Sequence, residues 1–306
     1  MSVTRRTLLQ IASGTGLSLG LGWNPLAAAS DKSTIITRPI PASNETVPVI
    51  GIGTNRYRVG SDADNAKLRE TLSIFHELGG TFIDTAPMYR SSEEILGRLI
   101  ADLGIRNDLF VATKVVLTDR AGAEQRMTAS LEKLQTKTLD LVQSHNMRGS
   151  ENTLPVMREW QQDGRIRYVG ITTSKNREFP RMLDLMKREP FEFIQVNYSL
   201  ANREAAEEIL PLAMDRGIAV LINLPFDRGS LFSALRDRSL PGWAEEFDCH
   251  SWAQFLLKYV VSHPAVTCAI PGTTKPHHAR DNFGAALGRL PDATLRRKQE
   301  QFFDAL

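Results

Sequence analysis

Short apolar runs alternate with longer amphipathic segments along the chain after residue 30. Most of the runs are nearly continuous Val, Ile, Leu or Phe, which is typical of parallel strands buried on both faces. Strands are predicted at residues 47–52, 81–85, 109–114, 139–145, 168–172, 193–198, 219–224 and 267–270. This regular alternation constrains the fold more than any other feature of the sequence.

The segments between these runs have helical spacing of apolar residues. Helices are predicted at 62–78, 123–134, 153–163, 177–187, 202–216, 252–262 and 276–287, and a capping box at Ser91 and Glu94 predicts one more. Eight strands alternating with eight helices predict an α/β fold of the (β/α)8 TIM-barrel type. Residues 35–40 are expected to pair with 47–50 as a short N-terminal β-hairpin.

A doubly wound dinucleotide-binding sheet is the competing α/β fold. It usually opens with a glycine-rich turn between its first strand and helix. Gly51 and Gly53 come nearest to that pattern, but Arg56 occupies the third glycine position. The barrel is therefore preferred. The length of 306 residues allows one barrel or two smaller domains, and one domain over residues 30–306 is predicted because no internal repeat, low-complexity tract or linker interrupts the chain after residue 34.

Composition narrows the class of protein. The net charge is only +2, without the clustered excess of basic residues that nucleic-acid binders usually show, so no nucleic-acid partner is expected. Two cysteines are too few for a disulfide framework or a four-cysteine zinc site. Cys249 and Cys268 are expected to be unpaired thiols, although an oxidising compartment would allow them to pair.

Residues 1–29 have the three-part layout of an export signal. Arg5 and Arg6 are followed by a weakly apolar run and then by Ala27-Ala28-Ala29, and no acidic residue precedes Asp31. The segment resembles a twin-arginine (Tat) signal peptide, which implies the Tat translocon as a partner and a periplasmic or exported location, with a cytoplasmic stage before export. The run is too short for a comfortable membrane span, so no stable anchor is expected. A disordered tail and a retained anchor are the alternatives.

Ionisable side chains interrupt the apolar strand ends. Asp84, Lys114 and His145 each close a predicted strand, and Tyr89 lies in the turn after Asp84. Functional side chains of such barrels project from the carboxyl ends of the strands. An acid, an amine, an imidazole and a phenol together are suited to proton transfer. No metal site is predicted, because His145 has no second His or Cys at the spacing of a metal ligand.

Each of these residues also has a simpler interpretation when taken alone. Asp84 and Lys114 suit a structural ion pair, Tyr89 suits packing, and His145 suits a satisfied polar residue. Lys114 also suits an imine-forming lysine of a barrel lyase.

Several motifs in order along the chain resemble the aldo-keto reductase family. They are FIDTAPMYRSSE at 82–93, ATKV at 112–115, DLVQSH at 140–145, GRIRYVG at 164–170, QVNY at 195–198, Pro225 with Gly229, and the stretch from IPG at 270–272 to Asp281 and Asn282. The resemblance covers roughly residues 35–290. It implies a catalytic tetrad of Asp84, Tyr89, Lys114 and His145.

The family's chemistry gives each member of the tetrad a role. Tyr89 donates a proton to the carbonyl oxygen as hydride reaches the carbon, and His145 orients the carbonyl. A free phenol has a pKa near 10, and Lys114, held by Asp84, is expected to lower it.

The resemblance also implies an extended nicotinamide dinucleotide, NADPH in preference to NADH. The residues carried over for it are Gly53, Thr54, Asp84, Thr172, Thr173, Gln195, Asn223, Pro225, Gly229, Gly272, Thr273, Thr274, Lys275, His278, Asp281 and Asn282. Several positions depart from the family pattern, including Thr172-Thr173 in place of Ser-Asn and Gly272, Thr273 and His278 at the last strand. Asn223 stands where a tyrosine usually stacks on the nicotinamide, and Lys275 or Arg280 replaces the usual phosphate-binding residues.

Two further interpretations concern the mouth of the site. Arg90 replaces a glycine of the family and is interpreted either as a contact for anionic carbonyl compounds or as a solvated arginine. The apolar residues of segment 227–246 form either a substrate wall or barrel packing: Phe232, Leu235, Leu240 and Trp243.

The sequence thus predicts an enzyme that reduces a small aldehyde or ketone, with its oligomeric state left open. The alternative is a nucleotide-binding redox sensor or partner-regulating subunit with little turnover. An exported protein has no evident NADPH supply. The nucleotide is therefore expected to be carried out already bound, or the enzyme to act before export, unless the sensor interpretation holds.

Overall fold

A computed structural model describes residues 34–58, 60–116 and 119–306. The chain divides into the units Met1–Lys32 and Ser33–Leu306, and all the described residues belong to the second. The predicted signal at 1–29 and its boundary with the barrel lie outside the described residues. No helix in the described ranges is long and apolar enough to cross a membrane.

Strands and helices alternate through the second unit. The strands are β1 Thr37–Pro39, β2 Thr46–Pro48, β3 Ile52–Gly53, β4 Phe82–Asp84, β5 Phe110–Val115, β6 Leu139–Ser144, β7 Ile166–Thr172, β8 Phe193–Asn197, β9 Ala219–Asn223 and β10 Val266–Ala269. The helices are α1 Asp62–Glu77, α2 Ser92–Leu103, α3 Arg120–Lys133, α4 Ser150–Gln162, α5 Phe179–Arg188, α6 Ile209–Asp215, α7 Ser230–Ala234, α8 Trp252–Val261, α9 Pro276–Phe283 and α10 Ala293–Asp304.

Strands β3 to β10 form one parallel sheet in which every strand neighbours the next in sequence. Two isolated parallel bridges, Ile50 to Ala269 and Gly53 to Gly272, join the end of the sheet to its beginning. The sheet therefore curls into a barrel, and the predicted (β/α)8 fold with an N-terminal hairpin is confirmed.

The hairpin takes part of what the sequence predicted as the first barrel strand. Strand β1 pairs antiparallel with β2, with Thr37 opposite Pro48 and Pro39 opposite Thr46. Just beyond Pro48, the amide of Val49 still donates to the carbonyl oxygen of Ile36 at 3.1 Å. The parallel sheet takes Ile52 from the end of the predicted strand 47–52, together with Gly53.

The predicted cap of α2 and the predicted start of α6 both differ from the structure. Ser91 makes no capping hydrogen bond at the start of α2, whereas Ser61 and Asp64 form a capping box that begins α1. Helix α6 begins at Ile209 rather than near 202. This start places Pro211 in the first turn, where a helix tolerates proline best.

The barrel interior is apolar at its amino-terminal end. Alternate residues of a strand point to opposite faces, so every second side chain enters the barrel. Those that do so form one buried cluster with two hairpin residues: Ile40, Val47, Phe82, Phe110, Ala112, Leu141, Tyr168, Phe193, Ala219, Leu221, Cys268 and Ile270. This packing closes the bottom of the barrel, and functional groups are confined to the opposite end.

Candidate active site

All four residues of the predicted tetrad meet at the carboxyl end of the barrel. Asp84 ends β4, Lys114 lies near the end of β5, and His145 directly follows β6. Tyr89 closes a short 3-10 turn, Pro87–Tyr89, between β4 and α2. A cavity of about 750 Å³ is lined by Asp84, Tyr89 and His145, whereas Lys114 lies beneath its wall and is 2% exposed.

Both oxygens of the Asp84 carboxylate accept hydrogen bonds. The Lys114 ammonium donates to Oδ2 at 2.5 Å and to the carbonyl oxygen of Thr85 at 2.9 Å. The side-chain amides of Gln195 and Gln143 donate to Oδ1 at 2.8 and 3.3 Å. A buried ion pair is tolerated only when its remaining hydrogen-bonding capacity is satisfied in this way.

Tyr89 lies between the lysine and the histidine. The Lys114 ammonium is 5.1 Å from the centre of the phenol ring, and the ring centres of Tyr89 and His145 are 6.1 Å apart in an edge-to-face arrangement. Burial raises the pKa of Tyr89 above its ordinary value, and the opposing charge of Lys114 does not outweigh it. The expected lowering of the Tyr89 pKa is therefore wrong as a net effect, because the cost of burying a phenolate is the larger influence.

The other two titrating groups are held in definite protonation states. Burial alone would lower the pKa of Lys114, but Asp84 and Tyr89 together raise it above its ordinary value, so the ammonium stays charged. Burial lowers the pKa of His145 to about 3, and the charges of Lys114 and Arg148 add to this. At neutral pH the imidazole is therefore neutral and has one N–H to donate.

Most of the predicted nucleotide residues line the same cavity. They are Gly53, Thr54, Asp84, Thr172, Gln195, Asn223, Pro225, Gly229, Gly272, Thr274, Lys275, His278, Asp281 and Asn282. The cavity therefore reaches from the tetrad across the end of β9 to the start of α9.

The lining fits an extended polar ligand. At Gly53 a Cβ would lie 2.9 Å from the carbonyl oxygen of Ile270, and at Gly272 one would lie 3.0 Å from Oδ1 of Asn55, so neighbouring protein atoms leave no room for a side chain at either position. The side-chain oxygen of Asn223 is buried and has no hydrogen-bond partner among the described residues. A volume near 750 Å³ lies within the usual range for cofactor sites.

Two predicted residues are not part of the lining. The Thr173 hydroxyl accepts from the amide of Lys175 at 3.2 Å, within a local turn. The Thr273 hydroxyl donates to the carbonyl oxygen of Pro271 at 3.0 Å and accepts from the Asn282 amide at 3.1 Å. Both side chains hold the backbone that carries neighbouring lining residues.

Sequence reasoning missed several lining residues: Asn55, Arg56, Asn146, Ser174, Leu224, Arg228, Ser251 and Trp252. Most follow a strand end by one to five residues, and this position is the only signal that the sequence offers. Loop residues at such positions line the site only if the loop folds back over the barrel, which sequence spacing does not decide.

The two open interpretations at the mouth are resolved by position. Arg90 is exposed and lies outside the cavity lining. Phe232 lines the cavity, whereas Leu235 is buried and the Trp243 ring packs 5.5 Å from that of Phe255. Of the four apolar residues in segment 227–246, only Phe232 therefore suits a substrate wall.

Other chemistry is less compatible with the site. Among the described residues there is no group of three or more His, Cys, Asp or Glu placed to hold a metal ion. Cys249 and Cys268 are buried and free. Lys114 is ion-paired and charged, so it is not the neutral amine that imine chemistry needs.

A parallel barrel with this proton-transfer set beside a long polar cavity defines a cofactor-dependent barrel enzyme. A sequence model of the aldo/keto reductase family matches residues 49–300. The chain therefore belongs to the aldo/keto reductase family and is an NAD(P)H-dependent oxidoreductase.

Individual relatives extend the comparison. Aldo-keto reductase YhdN of Bacillus subtilis (strain 168) is 33% identical over 201 residues, which cover 60% of this chain and 59% of that protein. The NADH-specific methylglyoxal reductase of Escherichia coli (strain K12) is 24% identical over 324 residues, covering 86% and 98%. A crystal structure of an aldo/keto reductase from Klebsiella pneumoniae in complex with NADP and acetate superposes with a TM-score of 0.73 at 27% identity, covering 85% of this chain and 93% of that one.

Proposed function

We propose that this protein reduces an aldehyde or ketone to the alcohol, with NADPH as hydride donor and Tyr89 as general acid. One observation carries the proposal: Tyr89 and His145 lie on the wall of the same cavity as the residues carried over for the nucleotide. A carbonyl compound bound between them and the nucleotide would meet the acid and the reductant together.

The lining residues offer a different kind of contact to each part of the nucleotide. Gln195 and Asn223 present amide groups near the tetrad, Gly53 and Gly272 line the cavity without side chains, and Lys275 presents a cation at the start of α9. Lys275 suits a 2′-phosphate, since a helix N-terminus also favours negative charge. NADPH is therefore our choice, and NADH is the alternative, because the relatives include both an NADP complex and an NADH-specific reductase.

When bound, the nicotinamide supplies a hydride to the carbonyl carbon. The protein's part is to receive the charge that develops on oxygen. The neutral His145 donates a hydrogen bond to that oxygen and orients it. Burial keeps the Tyr89 phenol protonated and ready to donate. The Lys114 ammonium, fixed at 2.5 Å from Asp84, stabilises the phenolate that remains after proton transfer.

The test is multiple-turnover oxidation of NADPH by the purified protein with a panel of aldehydes and ketones, with the alcohol product quantified. We expect stoichiometric alcohol formation and slower turnover with NADH. Tightly held nucleotide without turnover across the panel would contradict the proposal and support the sensor interpretation.

We also propose that residues 1–29 are a Tat signal that directs the barrel of residues 30–306 to the periplasm. The proposal rests on Arg5 and Arg6 and the alanine run that ends at Ala29. Export of a folded protein with its nucleotide bound would answer the problem of cofactor supply. N-terminal sequencing of protein from a periplasmic extract is expected to begin at Ser30, and an intact Met1 found only in the cytosol would contradict export.

A further inference from the structure

A tight turn after β3 is attached directly to the strand that carries Asp84. The amide and hydroxyl of Thr54 both donate to the backbone carbonyl oxygen of Asp84, at 3.0 and 3.1 Å. The amide of Tyr57 donates to the carbonyl oxygen of Thr54 at 2.9 Å and closes the turn. Asn55 and Arg56 therefore lie in a turn held over the catalytic end of β4.

Buried hydroxyls hold this turn in place. The Ser92 hydroxyl lies 2.8 Å from that of Thr54 and 3.0 Å from that of Thr85, and it donates to the carbonyl oxygen of Thr54 at 2.9 Å. All three residues are fully buried. Ser92 begins α2, which follows the turn containing Tyr89. Arg56 and Tyr89 thus extend from two segments tied to one rigid cluster.

Arg56 has no counter-charge of its own. Its exposed side chain lines the same cavity as Tyr89 and His145, and it forms no ion pair with any residue in the described ranges. Two carboxylates line the cavity, and both are engaged. Lys114 pairs with Asp84, and Ser251 donates to Asp281 at 2.7 Å.

The other two cations of the lining belong to segments carried over for the nucleotide. Lys275 lies at the start of α9, and Arg228 directly precedes Gly229. Arg56 follows Gly53 and Thr54, which are also carried over for the nucleotide, but its turn is hydrogen-bonded through Thr54 to the backbone of Asp84. The turn therefore places this positive charge near the carboxyl end of β4.

We propose that Arg56 is a specificity-determining residue that selects carbonyl substrates bearing a carboxylate. This inference rests on the proposed function and names its substrate class. A guanidinium presents a planar pair of N–H donors that match a carboxylate, and the contact costs little when neither group has another ionic partner to lose. The carboxylate would bind Arg56 while the carbonyl group lies between Tyr89 and His145.

The experiment compares 4-carboxybenzaldehyde with its neutral methyl ester, methyl 4-formylbenzoate. We expect kcat/KM of the wild-type protein to favour the acid by about tenfold, the size of one charge-assisted hydrogen bond. Arg56→Ala should remove this preference, Arg56→Lys should restore part of it, and added salt should weaken it. Arg90→Ala is the matched control, because Arg90 is an exposed arginine outside the cavity, and it should keep the preference.

Two readouts separate failure of this inference from failure of the proposed function. Fluorescence titration with NADPH reports nucleotide binding, and calorimetric titration with 4-(hydroxymethyl)benzoate reports carboxylate binding without turnover. If no carbonyl compound is reduced, Arg56-dependent binding of the carboxylate still supports the inference. A wild-type protein without preference for the acid overturns it. So does an Arg56→Ala variant that loses NADPH affinity and reduces acid and ester equally poorly.

Discussion

The lower and upper halves of the barrel interior are built from the same strands and have opposite chemistry. In β4, Phe82 lies in the apolar cluster and Asp84, two residues later, belongs to the tetrad. In β5 the same change runs from Phe110 to Lys114, and in β8 from Phe193 to Gln195. Within one strand, therefore, two to four residues separate an apolar packing residue from a polar or ionisable residue of the site.

The lower half is held by aromatic contacts. The Phe110 ring stacks on that of Phe82 at 4.7 Å and lies 5.8 Å from the rings of both Tyr168 and Phe193. The Tyr168 hydroxyl lies 2.7 Å from the Ser43 hydroxyl and 2.9 Å from the Glu45 carboxylate, and these contacts attach the hairpin. The aromatic rings themselves contribute by burial and close packing.

The upper half holds charges at the same depth of burial. Asp84 and Lys114 are each 2% exposed, and two glutamines supply the further hydrogen bonds of the carboxylate. Such a pair is weak evidence for stability, because desolvation offsets most of the attraction. The lower half therefore stabilises the barrel by packing, whereas the preorganised charges of the upper half add little to stability. Three substitutions test this division.

Among the substitutions in the upper half, Tyr89→Phe should cause the largest loss of activity with little change in stability. It removes the proposed proton donor, so kcat/KM for carbonyl reduction should fall by about 10²- to 10⁴-fold while the melting temperature changes little. Tyr57→Phe is the matched control, because the buried Tyr57 hydroxyl has no hydrogen-bond partner among the described residues and Tyr57 lies outside the cavity lining. Parental rates in Tyr89→Phe would refute the assignment of the acid.

Phe110→Ala should have the converse effect in the lower half. Removing a buried ring at the centre of the aromatic cluster should lower the free energy of unfolding by about 3–5 kcal/mol, measured by urea denaturation. KM for the aldehyde should change little in the folded fraction, because the site at the other end is untouched. Phe232→Ala provides the comparison, since Phe232 is 38% exposed and its loss should cost much less stability. Equal losses from the two variants would contradict the division.

His145→Gln should produce the smallest effect, on the pH dependence of stability. The folded pKa of about 3 lies below the unfolded value near 6.5, so the unfolded chain takes up the proton first as pH falls. The contribution of the neutral His145 to the free energy of unfolding is fully present above about pH 6.5 and is lost progressively as the pH falls towards 3. Between pH 7 and 5 this amounts to at most about 2 kcal/mol, and less because the ring is partly exposed.

Urea denaturation of the wild-type protein and of the His145→Gln variant at pH 7 and pH 5 measures this difference in the pH dependence of unfolding. His263, whose pKa burial lowers to about 4, is present in both proteins and its contribution cancels. An identical pH dependence in the two proteins would mean that His145 is not held neutral by burial.

Much of this organisation was readable from the sequence. The alternation of apolar runs predicts the barrel because only strands buried on both faces need such runs. Asp84, Lys114 and His145 stand out because ionisable groups at the ends of apolar strands are costly without a role. The hairpin between residues 35–40 and 47–50 was predicted as well, but the start of the parallel strand at Ile52 was not, since Val47 and Ile50 are apolar and buried in either arrangement.

The sequence by itself predicted the barrel, the family and the four residues of the proposed tetrad, because these predictions depend on residue type and order along strands. The tertiary structure decided how those residues behave. At Tyr89, burial raises the pKa more than the nearby Lys114 ammonium lowers it. The Thr173 and Thr273 hydroxyls bind neighbouring backbone groups instead of lining the cavity. The tertiary structure also brought Arg56 to the cavity and left Arg90 outside. Desolvation, hydrogen-bond partners and loop direction are properties of surroundings assembled from distant parts of the chain, and no local pattern encodes them.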